Sequence, residues 1–349
     1  MKPPAETCPP PVATERILFA FTPKEQALFL PGLRMEEFAE HPHAYIDTDA
    51  AGTAGWERIL REWRPTVIVT AWSAKRLPPD WVASPEFSLK YVCHVTGSLK
   101  SLLTREPFLR GVRATNWGCS INHTIAEHAV LLTLALLRGA GGWPGAMEKG
   151  GWTVDQVRRL RTKALRGRSV GLHGFGAIAR EIATMLAPFK PACIRSYSHG
   201  VPPAFMADRG VEPCASLEEL YGASEVLICC ESLTAENRGS VDARILGRLA
   251  DDSVFVNVGR GQIVDEAALL AEAATGRLRI GLDVFHREPL PADYPLRTAP
   301  GVMLSPHIAG PTLETYPLCG GHAVENLRRY LAGEPLSGEV TLEAFDRMT

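Results

Sequence analysis

The stretch Gly171–Arg180 reads "GLHGFGAIAR" and sets G-x-G-x-x-A directly behind a short apolar run. A strand that turns sharply into a helix at such glycines is a common seat for a dinucleotide pyrophosphate. Gly174 permits the tight turn, Gly176 lets the backbone approach a phosphate with no Cβ in the way, and Ala179 is small enough for helix-on-strand packing. Gly174, Phe175, Gly176, Ala177 and Ile178 are therefore the expected cofactor-binding segment, with helix N-terminal N–H groups turned to the anion. Taken alone, the motif fits a purely structural strand–turn–helix equally well. The chain around it decides.

Downstream, strand patterns follow at "SVGLHG", "CIRSYS", "VLICCE", "VFVNVG", "IGLDVF" and "VMLSPH". Between them lie the helical stretches "AIAREIATMLA", "SLEELYGA", "VDARILGRLA" and "EAALLAEAATG", the last closed by Gly276 as a C-terminal cap. Six strands with crossovers, the first bearing the glycines, make a complete dinucleotide-binding sheet. Upstream, "RILFAF", "AYIDT", "TVIVTAW", "LKYVCHV" and "VRATNW", with helical stretches such as "AGWERILREW", indicate another parallel sheet covered on both faces. The late helix "ETYPLCGGHAVENLRRYLAG" puts Ala323, Leu327 and Leu331 on one face, and no third sheet follows, so it is expected to pack back on the first domain. The fold class is α/β with two doubly wound parallel sheets. Residues 1–120 and 313–349 form a discontinuous substrate domain and 121–312 the Rossmann domain, with hinge crossings near 120 and 312.

Composition agrees. A length of 349 residues exceeds a usual single domain, and 46% hydrophobic with 22% charged residues describes an ordinary globular chain. A net charge of -2 gives no general pull toward nucleic acid or an anionic membrane, and the tryptophans form no stacking array. The longest apolar run, Ala129–Leu137, is far short of the ~20 residues of a membrane span and reads as a helix in a core or at a subunit contact. Eight scattered cysteines without metal-type spacing fit small buried thiols in a reducing compartment. The proline-rich start "MKPPAETCPPPVATE" lacks the apolar core of a secretory signal and reads as a loose tail. These features point to a cytoplasmic protein.

The fingerprint usually ends with an acid about 20 positions on, bonded to the ribose 2′-hydroxyl. Here no carboxylate occurs from Ile182 through Ala207; Ser198 stands where the acid is expected, followed by His199, with Arg195 and Ser196 just upstream. That absence removes repulsion against a 2′-phosphate and leans toward NADP; the other reading is NAD with its ribose held by backbone and water.

Ligands of open parallel sheets bind beyond the carboxyl ends of the strands. There "VFVNVGRGQIVD" sets Arg260 between glycines, "IGLDVFHREPLP" brings Asp283 and Glu288, and "VMLSPHIAGPT" brings His307. Reducing a 2-keto acid needs a cation for carboxylate and carbonyl oxygens and a proton donor for the developing alkoxide. Arg260 supplies a permanent charge in fork geometry, and His307 is of the residue type that exchanges protons near neutrality. Glu288, if hydrogen-bonded to the other ring nitrogen, would fix the tautomer, and Asp283 could orient a nicotinamide amide. Each residue also has a dull reading: an exposed arginine, a surface cap, a satisfied histidine. Their convergence on one sheet edge favours chemistry.

The chain resembles the D-isomer-specific 2-hydroxyacid dehydrogenase family. The resemblance rests on "VCHVTGSLK", "HTIAEHAVLLTLALLRG", "GGW", "LRGRSVGLHGFGAIAR", "VNVGRGQIVDEAAL", "LDVFHREPLP", "SPHIAG" and "VENLRRYLAGE" in that order. It implies two doubly wound domains with a cleft between them, the substrate domain flavodoxin-like, and a homodimer built on the coenzyme domains. It further implies Arg260, Glu288 and His307 as the catalytic triad. Gly97 and Ser98 would turn backbone N–H groups to the substrate carboxylate, with Thr234, Val258 and Asp283 near the nicotinamide cofactor. Relatives that oxidise formate carry glutamine in place of the glutamate, so Glu288 argues against that activity. The departures are His173 where an aliphatic residue is usual, Cys230 where many relatives have histidine, and Ser232 where proline is common.

The expected reaction is hydride transfer between NAD(P)H and a small 2-keto acid such as glyoxylate or hydroxypyruvate. The alternatives are oxidation of a D-2-hydroxy acid or phosphoglycerate, and a cofactor-sensing binding protein of the corepressor type. The chain ends soon after the returning helix, which leads us to expect no appended regulatory domain. "QVRRLRTKALRGR" holds six basic residues between Gln156 and Arg168 and reads as a solvated linker and helix.

Overall fold

The computed structural model describes residues 14–148, 153–346 and 348. The proline-rich start, expected as a loose tail, lies outside the described residues as far as position 13. The chain divides into two compact units, one running to Ser120 and resuming at Leu313, the other spanning Ile121–Thr312.

The first unit is built on β1 (Ile17–Ala20), β2 (His43–Ile46), β3 (Val67–Thr70), β4 (Tyr91–His94) and β5 (Arg113–Thr115). All pair in parallel in the order β2-β1-β3-β4-β5, a flavodoxin-like arrangement. β1, β3 and β4 are buried along their whole length, which is why they read as unbroken apolar runs rather than alternating ones. The returning helix Tyr316–Leu331 packs on β4 and on the helix Pro23–Phe29. Ala323 and Leu327 face the core, while Leu331 is only partly covered.

The second unit contains every strand expected from the pattern: β6 (Ser169–His173), β7 (Cys193–Tyr197), β9 (Val226–Cys229), β10 (Val254–Asn257), β11 (Arg279–Leu282) and β12 (Val302–Leu304). One more, β8 (Glu212–Pro213), is a two-residue edge strand beside β7, too short and polar to leave an apolar run. Its proline costs no ladder bond at an edge. The parallel order is β12-β11-β10-β9-β6-β7-β8, so the sheet winds outward in opposite directions from β6 and β9. The carboxyl ends of that pair form the switch point where ligands bind.

The helix Glu266–Thr275 starts on the Asp265 side chain and ends at Gly276, whose φ of 64° is the left-handed cap expected there. The stretch Val241–Ala250 is helical only over Ala243–Leu246, a correction to the longer helix its pattern suggested. The apolar helix Asn122–Leu137 lies against the helix Ala177–Leu186 and against β10 and β11, so its composition is that of a core helix. Among the described residues no single helix is long and apolar enough to cross a membrane.

Two readings need correction. Cys119 is exposed, so the cysteines are not uniformly buried. The basic stretch is helical over Val154–Arg159, but its second half is engaged: Arg161 and Lys163 pair with Asp252 at 3.0 and 2.6 Å, and Arg168 pairs with Glu225. Burial raises the Asp252 carboxyl, and hydrogen bonds from Arg279 and Lys163 outweigh it and bring it down to about 2.

Candidate active site

The site grows from the end of β6. Gly174 adopts φ 98°, which side chains rarely take, and a Cβ there would sit 2.9 Å from the Cα of Glu231. Its N–H donates to the Tyr197 carbonyl at 2.8 Å, tying the turn to β7. Gly176 caps the helix Ala177–Leu186 in an extended conformation with no side-chain hydrogen bond to the first turn. A Cβ on Gly176 would point into open space. Uncapped N–H groups at the head of a ten-residue helix, beside a position stripped of its side chain, fit a pyrophosphate. Phe175 is a core residue packed edge-on against Phe205, so only its backbone is available to a ligand; Ala177 and Ile178 are partly buried and Ala179 is buried.

His173, the odd residue of the strand, is 3% exposed, and burial pushes it down to about 4. Its Nδ1 lies 3.3 Å from the Tyr221 hydroxyl. It is a neutral core histidine.

At the end of β7 the groups suggested for a 2′-phosphate are otherwise occupied. The Ser196 hydroxyl is buried and donates to the Leu172 carbonyl, and Arg195 pairs with Glu212 at 2.9 Å. Ser198 donates to Oε2 of Glu231 at 3.1 Å. Sequence reasoning missed Glu231 because it sits beyond β9, not on the strand that usually carries the ribose acid. Thr234 forms a reciprocal turn with Asn237, accepting from its N–H at 3.2 Å while Thr234 N–H donates to Asn237 Oδ1 at 2.7 Å. Val258 is buried, with its N–H on the Cys229 carbonyl.

Beyond β10, Asn257 pins the arginine loop: its Oδ1 accepts from Gly259 N–H at 3.0 Å and its Nδ2 donates to the Arg260 carbonyl at 3.0 Å. Burial lowers the Arg260 guanidinium from its usual value, and the Glu288 carboxylate opposes that shift. Glu288 accepts from the Phe285 N–H through Oε1 at 2.9 Å and meets His307 Nδ1 through Oε2 at 2.6 Å. An ionised carboxylate only accepts, so Nδ1 carries the proton and Nε2 is the free working nitrogen. His307 is 48% exposed at the side chain and has φ 53°. That unfavourable backbone needs support, and Asp283 provides it. Its carboxylate accepts from the N–H groups of Ile308 and Ala309, both at 2.9 Å, and from the Ser305 hydroxyl at 2.6 Å. His128 in turn lies 2.8 Å from that hydroxyl.

Arg260, Glu288 and His307 thus converge at one sheet edge of the second unit. Gly97 and Ser98 belong to the first unit, on the loop after β4. There the Gly97 carbonyl accepts from Asn116 Nδ2 at 2.6 Å, and the Ser98 hydroxyl accepts from Lys100 N–H at 3.3 Å. Just before them His94 is buried between the Thr70 and Thr96 hydroxyls, at 2.8 and 2.6 Å, and burial lowers it to about 4. No grouping of acids, histidines and cysteines among the described residues could hold a metal.

A dinucleotide-type sheet with an open helix N-terminus, and a guanidinium and a carboxylate–imidazole pair at its carboxyl edge, defines a nicotinamide-cofactor protein. The chain belongs to the D-isomer specific 2-hydroxyacid dehydrogenase family, whose NAD binding domain matches residues 130–309. It is 31% identical over 333 residues to a glyoxylate/hydroxypyruvate reductase of Arabidopsis thaliana, covering 88% of this chain and all of that one. It is 32% identical to the D-3-phosphoglycerate dehydrogenase of Mycobacterium tuberculosis over 70% of this chain but only 46% of that protein, so it spans less than half of that relative. Among solved structures, the NADPH-dependent glyoxylate/hydroxypyruvate reductase of Sinorhizobium meliloti superposes with a TM-score of 0.70 at 26% identity, covering 96% of this chain and all of that one.

Proposed function

We propose that this chain reduces a small 2-keto acid to the D-2-hydroxy acid with a nicotinamide cofactor, in the manner of a glyoxylate/hydroxypyruvate reductase. The Ile121–Thr312 unit is the coenzyme domain and the other unit the substrate domain. The pyrophosphate is held by the backbone of Gly174–Ile178, and Thr234, Val258 and Asp283 line the remainder of the cofactor site. The bound cofactor supplies hydride to the keto carbon. Arg260 clamps the substrate carboxylate and carbonyl oxygen, and its desolvated charge is worth more there than in water. Gly97 and Ser98 give the carboxylate backbone N–H groups. His307 delivers the proton from Nε2 to the developing alkoxide, while Glu288 holds Nδ1–H and stabilises the cationic ring.

The observation that carries this reading is the 2.6 Å contact between Glu288 and His307 at the strand edge shared with Arg260. The cofactor choice pulls two ways: the missing acid on β7 favours NADP, and the Glu231 carboxylate beside Ser198 favours NAD. We further propose a cytoplasmic homodimer joined through the coenzyme domain. Free thiols suit a reducing compartment. Exposed Leu131, Trp143, Met147, Val154 and Val157 cluster on one stretch of that domain, as at a subunit contact.

A steady-state screen of glyoxylate, hydroxypyruvate and bulkier 2-keto acids with NADH and NADPH tests the activity, with sedimentation for the dimer. Turnover of a keto acid supports the reductase. Turnover only of D-2-hydroxy acids or phosphoglycerate would reverse the direction, and tight cofactor binding without turnover would mark a corepressor-like sensor.

A further inference from the structure

The ribose-binding acid of this fold usually ends the strand next to the fingerprint strand, here β7. That position is Ser198. Glu231 arrives from the opposite side, on the turn after β9. Its backbone is wedged between two glycines: a Cβ on Gly174 would lie 3.0 Å from its N, and one on Gly259 would lie 2.6 Å from its carbonyl oxygen. The carboxylate is steered in turn, Oε1 accepting from Ser232 N–H at 3.0 Å and Oε2 from the Ser198 hydroxyl at 3.1 Å. It therefore lies against the residue that replaces the missing acid, on the rim of the fingerprint turn.

We infer that Glu231 supplies from β9 the ribose-recognising carboxylate that β7 lacks, and so selects NAD(H) over NADP(H). The inference rests on the nicotinamide-cofactor reading above. A ribose 2′-hydroxyl can take the place of the Ser198 hydroxyl as donor to Oε2. A 2′-phosphate has no proton to give there and brings about two negative charges against a carboxylate. The surroundings offer that phosphate little relief. Arg195 is committed to Glu212 and to the Ala223 carbonyl. Arg180 and Arg209 lie on the face of Phe205. His199 faces a second carboxylate: the Thr234 hydroxyl and its own backbone hold the Glu236 carboxyl below its usual value, and His199 adds to that shift.

The test is direct binding to the full chain, with NADH and NADPH titrated separately and followed by nucleotide fluorescence. The wild-type protein is expected to bind NADH at least tenfold more tightly. Glu231→Gln, and Glu231→Ser as a second variant should the first fold poorly, are expected to shrink that ratio at least tenfold, chiefly by tightening NADPH. A wild type that favours NADPH, or a ratio that neither variant moves, overturns the inference while leaving the cofactor reading intact. A wild type that binds neither nucleotide overturns both.

Discussion

Asp283 holds the backbone that presents His307. With 1% of its surface exposed, it collects the N–H groups of Ile308 and Ala309 and the Ser305 hydroxyl, on the residues flanking a histidine at φ 53°. Charge-assisted hydrogen bonds of this kind contribute roughly 1.5–3 kcal/mol each. Asp283→Asn keeps the shape but replaces one acceptor by a donor facing an N–H. We predict a lowered Tm and a kcat reduced about 10-fold to 100-fold by a loosened His307, with cofactor Kd changed much less. Differential scanning calorimetry and fluorescence titration separate this from a role confined to the nicotinamide, which would raise Kd and leave Tm unmoved.

Glu288→Gln isolates the imidazole contact. The amide oxygen still accepts from Phe285 N–H, so the loop persists, but the group facing Nδ1 becomes an uncharged NH2 donor that cannot hold Nδ1–H. We predict kcat lower by about 10-fold to 100-fold, and His307→Ala lower by about 10²–10⁴, the range for a missing general acid. Both variants should bind reduced cofactor as the wild type does. His307→Ala with most of its turnover would remove the histidine from the mechanism.

The strands of the two parallel sheets were legible because strands buried on both faces leave apolar runs that neither loops nor amphipathic helices imitate; their order in each sheet is a tertiary property that such runs do not carry. The convergence of Arg260, Glu288 and His307 was legible because each lies on the loop just past one of three neighbouring strands, β10, β11 and β12. β8 was not, since two exposed residues at an edge need no pattern. Glu231 was missed for a different reason: a carboxylate reaching across from β9 to Ser198 is a tertiary relationship, and its signal, an acid two residues past the buried part of a strand, is too common to single out. The engagement of Asp283 with Ile308 and Ala309 was equally hidden, because a backbone N–H carries no sequence mark. The basic stretch before β6 looked solvated until Asp252 appeared beneath it.

Two buried histidines make the fold acid-sensitive. His94 in one unit and His173 in the other have their values lowered by burial from 6.5 to about 4. An unfolded chain protonates them first, so stability is complete above about pH 6.5 and declines as pH falls from there toward about 4. At pH 5 each costs about 2 kcal/mol by this linkage. His173→Leu removes one of the two and should flatten the fall of Tm with acid, at a modest cost at neutral pH where Tyr221 loses its partner. A Tm profile between pH 7 and pH 4.5 parallel to that of the wild type would contradict this.

The two fingerprint glycines separate folding from binding. At Gly174 an alanine must hold φ 98° and push its Cβ into the backbone of Glu231, so Gly174→Ala should lower Tm and disturb the turn after β6 before any ligand arrives. At Gly176 the backbone is extended and nothing lies within 4 Å of the added Cβ, so Gly176→Ala should fold with wild-type Tm. On the cofactor placement proposed above, the methyl would meet the pyrophosphate instead, whose close approach to the helix N-terminus would be the reason for a glycine there. We predict at least a tenfold weaker Kd for NADH in Gly176→Ala. Undiminished NADH binding by that variant would mean that the dinucleotide does not lie on this turn, whatever the rest of the sheet resembles.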